Sequence, residues 1–162
     1  KKISGGGELI DQGTHLIDLS MWLFEEDFFS VNGKLKTYFW NMEVEDNVFM
    51  LLETKTNKIA NLHASWTEWK NQFNFEIVGE TGKILIEGLG GSYGKEKLTL
   101  FEMKPEMGVP KIKKWTWEHN DFSWSNQWLH FMNEVANSRL NCDPGLESSR
   151  KVLNIVDNLY AK

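Results

Sequence analysis

Apolar residues first recur at helical spacing. Over 5–24, Leu9, Ile10, Leu16, Ile17, Leu19, Met21, Leu23 and Phe24 fill most of a helix circumference. At about 100° per residue, Asp11, His15, Asp18 and Trp22 share the remaining stripe, roughly 60° wide. A helix apolar nearly all round is expected to be buried. Ionisable groups on it are then expected to line a cleft, because burying them without partners is costly. Gly5, Gly6 and Gly7 precede it as a flexible lead, suited to close approach of a ligand or a preceding domain. Gly13 inside it costs about 1 kcal/mol relative to Ala and marks close packing against a strand.

The period then changes to two. Val31 to Trp40 predicts a strand, with Val31, Leu35 and Phe39 on one side and Lys34, Lys36, Tyr38 and Trp40 on the other. Glu43, Glu45 and Asp46 form an acidic connection. Val48 to Leu52 is a continuous apolar run, as in a strand covered on both faces. Ile59 to Trp66 returns after a turn at Thr56–Lys58. Lys70 to Val78 places Phe73, Phe75 and Ile77 on one face, and Glu80–Lys83 is a tight hairpin whose Gly82 admits positive φ. Ile84–Ile86, Lys97–Met103 and Ile112–Trp117 complete six or seven strands, largely in hairpin order, which means a mainly antiparallel sheet.

Helical spacing returns at Trp124, Trp128, Phe131, Met132 and Val135, with Ser123 the expected N-cap. A last helix after Asp143-Pro144-Gly145 aligns Leu146, Ser149, Val152, Leu153, Val156, Leu159 and Tyr160. One helix, many strands and two helices predict an α+β fold: a large, mainly antiparallel, open-faced sheet with helices packed on one face. The uncovered face, carrying aromatics, is a natural subunit interface, the alternative being that loops or a further domain cover it.

Composition adds bounds. With 162 residues, 41% of them hydrophobic, the chain is expected to be a single domain, 1–162, with a real core. A net charge of −5 and the absence of a basic stripe argue against a nucleic-acid partner. No stretch approaches a membrane span. Lys111, Lys113 and Lys114 read as a solvated strand face. The single cysteine, Cys142, permits no intrachain disulfide and fits a reducing, cytoplasmic setting. Lys1 in place of an initiator Met is expected to mark either the interior of a longer protein or the edge of an expressed piece, and the opening residues do not read as a signal peptide.

Asp11 and His15 are the leading chemical candidates. An imidazole titrates near neutrality and accepts a proton from a hydroxyl as its carbon is oxidised. A carboxylate one turn away orients the imidazole or binds a substrate hydroxyl; the competing reading is a buried ion pair at i, i+4. Asp11, His15 and Asp18 also have spacing for a divalent metal, but no fourth ligand is evident; His63, His119 and His130 lie in no motif. Trp66, Trp69 and Tyr93 are candidates for contacting a sugar, with core or interface packing as the alternative. Gly88 to Gly94 lacks the strand and helix setting of a phosphate loop. Cys142 has no histidine near it in sequence, and no serine lies in a nucleophile elbow.

Gly5-Gly6-Gly7-x-x-x-Asp11-x-Gly13-x-His15-x-x-Asp18 resembles the opening of the C-terminal domain of the Gfo/Idh/MocA family, the glucose–fructose oxidoreductase and inositol dehydrogenase-like enzymes. Glu45-Asp46-Asn47, Leu62-His63-x-Ser65-Trp66-Thr67 and Glu76-Ile77-x-Gly79-x-x-Gly82 continue the likeness along the chain. Gly90-Gly91-Ser92-Tyr93-Gly94 and the Ser123-Trp124 helix resemble a branch associated with bacterial sugar and surface-polysaccharide metabolism. The resemblance implies NAD or NADP bound by an N-terminal Rossmann domain that this chain does not contain, together with a lysine from a Glu-Lys-Pro motif there. It implies that His15 is the acid/base group for the substrate hydroxyl, that Asp11 is the substrate-binding carboxylate, and that the open sheet face makes homo-oligomer contacts.

The resulting expectation is the substrate-binding and oligomerisation domain of an NAD(P)-dependent oxidoreductase. Its substrate would be a sugar, a sugar derivative such as a nucleotide sugar, or a polyol, and the isolated chain would be inactive. The alternatives are a non-catalytic oligomerisation or sugar-binding module, and a metal-dependent hydrolase using Asp11, His15 and Asp18.

Overall fold

The computed structural model describes residues 4–106, 108–118, 121–137 and 145–161. His119 and Cys142 lie outside them, as do Asp143 and Pro144. Among the described residues the fold is α+β, with antiparallel sheets and three α-helices. It forms two compact units, one of residues 1–67 with 141–162 and one of 68–140.

The first unit opens with a π-helical turn, Leu9–Gly13, that runs directly into α1, Thr14–Phe24. Strands β1 (Phe28–Lys36), β2 (Asn47–Thr54) and β3 (Ile59–Ser65) form an antiparallel sheet in that order. The register builds rows across the covered face: Leu35, Val48 and Ala64; Gly33, Met50 and Leu62; Val31, Leu52 and Ala60. The alanines of β3 leave room for the π turn and α1, both of which pack on that strand. Helix α3, Leu146–Tyr160, packs on α1 and β1 through Val152, Ile155, Val156 and Leu159. Each large aliphatic side chain so buried contributes about 1.5–3 kcal/mol. Leu146 and Leu153, expected on the same side, are exposed at its margin.

Two expectations for this sheet change. Val48–Leu52 is covered on one face only: Val48, Met50 and Leu52 are buried, whereas Phe49 and Leu51 are exposed. A run of five apolar residues conceals strict alternation, because both sides are apolar. Strand β1 stops at Lys36 rather than reaching Trp40, because the Asp46 carboxylate takes the amides of residues 38–40. Phe49 stacks on His63 on the open face, with ring centroids 4.3 Å apart, and His63 Nε2 lies 3.2 Å from Asn47 Oδ1. His63 is thus a satisfied strand residue.

The second unit holds β4 (Asn74–Val78), β5 (Gly82–Glu87), β6 (Lys97–Glu102) and β7 (Lys111–Thr116), antiparallel in sequence order. Phe73, Phe75 and Ile77 alternate with exposed neighbours, as the pattern predicts. The β4–β5 hairpin closes with the Gly79 amide donating to Gly82 O. Gly82 does not take positive φ; a Cβ there would overlap the Phe101 carbonyl oxygen, so glycine is required by the adjacent strand. Strand β7 is exposed throughout, consistent with a solvated lysine face. Helix α2, Ser123–Ala136, buries none of its residues; Trp124, Trp128 and Phe131 remain exposed. Its first amide, Ser123 N–H, donates to the Asp121 carboxylate at 2.9 Å, so Asp121 takes the capping role expected of Ser123. The hydrogen bonds from Ser123 hold Asp121 below the usual carboxylate range. No described helix is long and apolar enough to cross a membrane.

Candidate functional site

Three consecutive side chains at the head of β2 organise the first unit. Glu45, Asp46 and Asn47 are all buried and each secures a different segment. Glu45 Oε1 accepts hydrogen bonds from the Gly7 amide at 3.1 Å, the Leu9 amide at 3.2 Å and the Tyr160 hydroxyl at 2.6 Å. Its carbonyl accepts from the Glu8 amide at 2.9 Å. Two of the donors a helix leaves unpaired at its start are satisfied in this way. Burial, followed by the bond to Glu45, pushes the Tyr160 hydroxyl well above the usual phenol range. Gly7 has to be glycine because a Cβ would overlap the Glu45 backbone. The close approach foreseen at the glycine run is therefore made by this chain's own β2 lead.

Asp46 folds the segment that the alternation assigns to β1. Its carboxylate accepts from the amides of Tyr38, Phe39 and Trp40, at 2.9–3.1 Å, and from Asn47 Nδ2 at 3.0 Å. Those amides turn towards one carboxylate and cannot continue a ladder, which is why the strand ends. Burial acts to raise the Asp46 pKa, but the bonds from Asn47 and the three amides outweigh it and bring it down to about 2. The Asp46 carbonyl also accepts the Trp66 amide at 2.9 Å. Asn47 continues the clamp, donating to Thr67 Oγ1 at 3.0 Å.

The π turn carries Asp11. Its signature is the Thr14 amide, which donates to Leu9 O, five residues back. The turn is wider than an α turn, so Asp11 is rotated relative to the stripe that α-helical spacing projects along α1. Such turns are frequent at functional sites. Asp11 and His15 are both exposed, in contrast to the buried setting expected of this helix. The buried face consists of Leu9, Gly13, Ile17, Ser20 and Met21. Asp11 Oδ2 accepts a hydrogen bond from the Trp66 indole Nε1–H at 3.2 Å, and no hydrogen bond joins it to His15. Asp18 instead accepts from Ser148 Oγ at 3.0 Å, which ties α1 to α3. Among the described residues no three His, Cys, Asp or Glu side chains are placed to hold a metal ion together.

Beside Asp11, Trp40, Asn41, Met42 and Trp66 line an open cavity of about 420 Å3. The structure thus brings Trp66 to Asp11. Trp69 and Tyr93 belong to the second unit. There Trp69 is exposed with φ 57°, and Tyr93 is half-buried in a loop whose Gly88, Gly90, Gly91 and Gly94 all have positive φ.

One ionisable group was not legible in the sequence. Glu8, only 1% exposed, is the residue buried next to the site, and its Oε2 has no hydrogen-bond partner among the described residues. Burial, together with the neighbouring charges of Asp11 and Glu45, pushes its pKa up to about 8, which favours the protonated acid at neutral pH. Its position directly after the glycine run gave no sign of this; only the docking of Gly7 on Glu45 buries it.

The structure resembles solved oxidoreductases along nearly its whole length. Aldose-aldose oxidoreductase from Caulobacter crescentus, complexed with glycerol, matches 97% of the chain at 20% identity, with a TM-score of 0.77. UDP-N-acetylglucosamine 3-dehydrogenase GnnA from Acidithiobacillus ferrooxidans matches 95% at 15% identity and a TM-score of 0.74. The WlbA dehydrogenase from Bordetella pertussis, in complex with NADH and UDP-GlcNAcA, matches 96% at 19% identity and 0.64. The chain spans 45%, 46% and 42% of those proteins, so somewhat less than half of each. At these identities the likeness is one of fold. No curated protein sequence matches the chain. A sequence profile described as the GFO/IDH/MocA C-terminal domain matches residues 1–85, the part that holds the π turn, the Glu45-Asp46-Asn47 clamp and Trp66. With that profile covering more than half of its length, the chain belongs to the GFO/IDH/MocA C-terminal domain family.

Proposed function

We propose that this chain is the substrate-side domain of a nicotinamide-dependent oxidoreductase acting on a sugar or nucleotide sugar, with Asp11 and His15 at the reacting carbon. The observation that supports this best is the pairing of Asp11 with Trp66 beside an open cavity, one helical turn from an exposed imidazole. Asp11 accepts a substrate hydroxyl in place of, or beside, the indole N–H. His15 takes the hydroxyl proton as the carbon is oxidised and returns it in the reverse direction. When bound, the nicotinamide supplies the hydride acceptor.

The residues of this chain are suited to the substrate rather than to the dinucleotide. Asp11 presents an exposed carboxylate at the start of this helix, where a pyrophosphate would need donors and cations. The dinucleotide, NAD or NADP, is therefore assigned to a separate Rossmann domain of the same protein, with residues 1–162 acting as one C-terminal domain. The WlbA dehydrogenase, solved in complex with NADH, supports a cofactor of this class. The exposed Phe49, Leu51 and Ile59 on the open face of β2 and β3 support homo-oligomer formation there.

The test is His15→Ala in the complete natural protein, screened with sugars and nucleotide sugars. Loss of an acid/base group is expected to lower kcat by about 10²–10⁴-fold. Turnover equal to the parent protein would defeat the assignment. The isolated chain is expected to reduce no NAD or NADP, and measurable reduction would defeat the division of labour.

A further inference from the structure

We infer that Tyr160, at the end of α3, is a positioning residue for Asp11, acting through Glu45 and Gly7; this rests on the assignment of Asp11 to the substrate above. The link is a run of hydrogen bonds between the two ends of the chain. The Tyr160 hydroxyl donates to Glu45 Oε1 at 2.6 Å. The same carboxylate oxygen takes the Gly7 amide at 3.1 Å, and the Tyr160 oxygen accepts from that amide at 3.3 Å. The Gly7 carbonyl in turn accepts the Asp11 amide at 3.1 Å and the Ile10 amide at 3.2 Å. Gly7 is thus held at its N–H by Tyr160 and Glu45, and at its C=O it holds the backbone of Asp11.

The phenol is itself fixed in place. Its neighbour Leu159 is buried, and a Cβ at Gly33 would overlap the Leu159 side chain, so β1 admits the last turn of α3 only at a glycine. A Cβ at Gly6 would likewise overlap the Tyr160 hydroxyl. At its other end α3 is tied by Ser148, whose hydroxyl donates to Asp18 at 3.0 Å. The two ties lie about 17 Å apart along either element at 1.5 Å per residue, so α3 runs antiparallel to α1 and braces both its lead and its middle. Burial, followed by the bond to Glu45, raises the Tyr160 pKa and keeps the phenol a donor.

The consequence falls on the π turn. Its wide bond runs from the Thr14 amide to Leu9 O, and the Leu9 amide is a further donor to Glu45 Oε1, at 3.2 Å. The backbone on either side of Glu8, at Gly7 and at Leu9, therefore rests on one carboxylate oxygen that Tyr160 orients. Phenylalanine would supply the same packing; the hydroxyl adds the bonds to Glu45 and Gly7. Asp11 is exposed on this turn and meets Trp66 Nε1–H at 3.2 Å. A shift of the turn is thus carried to the carboxylate, and small misplacements of a group that holds substrate are costly to turnover.

The experiment uses the complete natural protein with 15N-labelled tryptophan, the Trp66 indole signal being identified by its loss in Trp66→Phe. Tyr160→Phe deletes the hydroxyl and keeps the ring; Ser148→Ala releases the far end of α3 for comparison. Tyr160→Phe is expected to shift the Trp66 indole N–H signal, because the carboxylate that accepts it moves, whereas Ser148→Ala leaves it in place. With the sugar or nucleotide sugar of highest turnover in the screen above, Tyr160→Phe should lower kcat/KM by about 10–100-fold. Added to Asp11→Asn it should lower turnover no further, since the group it positions is already gone. An unmoved indole signal in Tyr160→Phe, an equal shift in Ser148→Ala, or additive losses in the double variant would each overturn the positioning role and leave the assignment of Asp11 standing. Parental turnover in Asp11→Asn would defeat that assignment and this role with it.

Discussion

Replacing Glu8 by Gln isolates the energy stored in one buried carboxyl. Glu8 is nearly inaccessible, and its pKa rises from 4.5 to about 8 through burial and the charges of Asp11 and Glu45. In the unfolded chain the same group ionises near its ordinary value. The folded state therefore holds a proton that the unfolded state has released between these two values, and stability falls as pH rises through that interval. The contribution is fully present below 4.5 and lost by about pH 8. At about 1.36 kcal/mol per unit, the interval corresponds to at most about 5 kcal/mol. Glutamine keeps the shape and does not titrate. Urea unfolding of parent and variant across this range gives the difference in which all other titrations common to both cancel. The parent is expected to lose several kcal/mol relative to Glu8→Gln between pH 4.5 and 8, with no further change above. A difference that stays constant across the interval would refute the burial argument, whatever the absolute stabilities.

The clamp and the open face give two further expectations. Asp46→Asn removes a charge that accepts three amides, and is expected to cost about 1–3 kcal/mol in urea unfolding. Because its folded pKa is depressed to about 2, the Asp46 contribution is present above the ordinary carboxylate value of 3.8 and lost as pH falls towards 2. The Asn variant should lack that acid limb, and an unchanged acid limb would count against the clamp. On the open face, Phe49→Asp combined with Leu51→Asp should lower the mass of the complete protein seen by light scattering, since both side chains are exposed on β2. An unaltered mass would remove this face from the proposed subunit interface.

Much of the architecture was legible in the chain. The α+β class, the pairing of sequence-adjacent strands within each sheet, and the places of Val152, Val156 and Leu159 in the α3 core follow from local period and turn chemistry, whereas the division into two sheets between β3 and β4 and the burial of Ile155 do not. Alternation failed where a side chain competed with the ladder. Val31 to Trp40 has strand periodicity throughout, but the carboxylate of Asp46 takes the amides of residues 38–40, and that competition is invisible without the turn that brings it there. The apolar run at Val48–Leu52 misled for a different reason: apolar residues on an open face and on a covered face look alike until the helices are placed.

The candidate site divides along the same line. Asp11 and His15 were marked out by helical spacing and by the order of later motifs, since both are local properties of the chain. The π turn, and with it the exposure of Asp11, arises from hydrogen bonds of the folded backbone that no side-chain pattern encodes. Trp66 meets Asp11 across 55 positions of sequence, and Trp40 joins it through Asp46. The glycines at 5–7 looked like an open lead, yet Gly7 is pressed on Glu45, and this contact is what buries Glu8 and starts the helix. The sequence by itself determined which residues carry reactive groups and on which elements they lie. Tertiary structure alone decided which of those groups lose water and which face it, because desolvation depends on what packs from elsewhere in the chain.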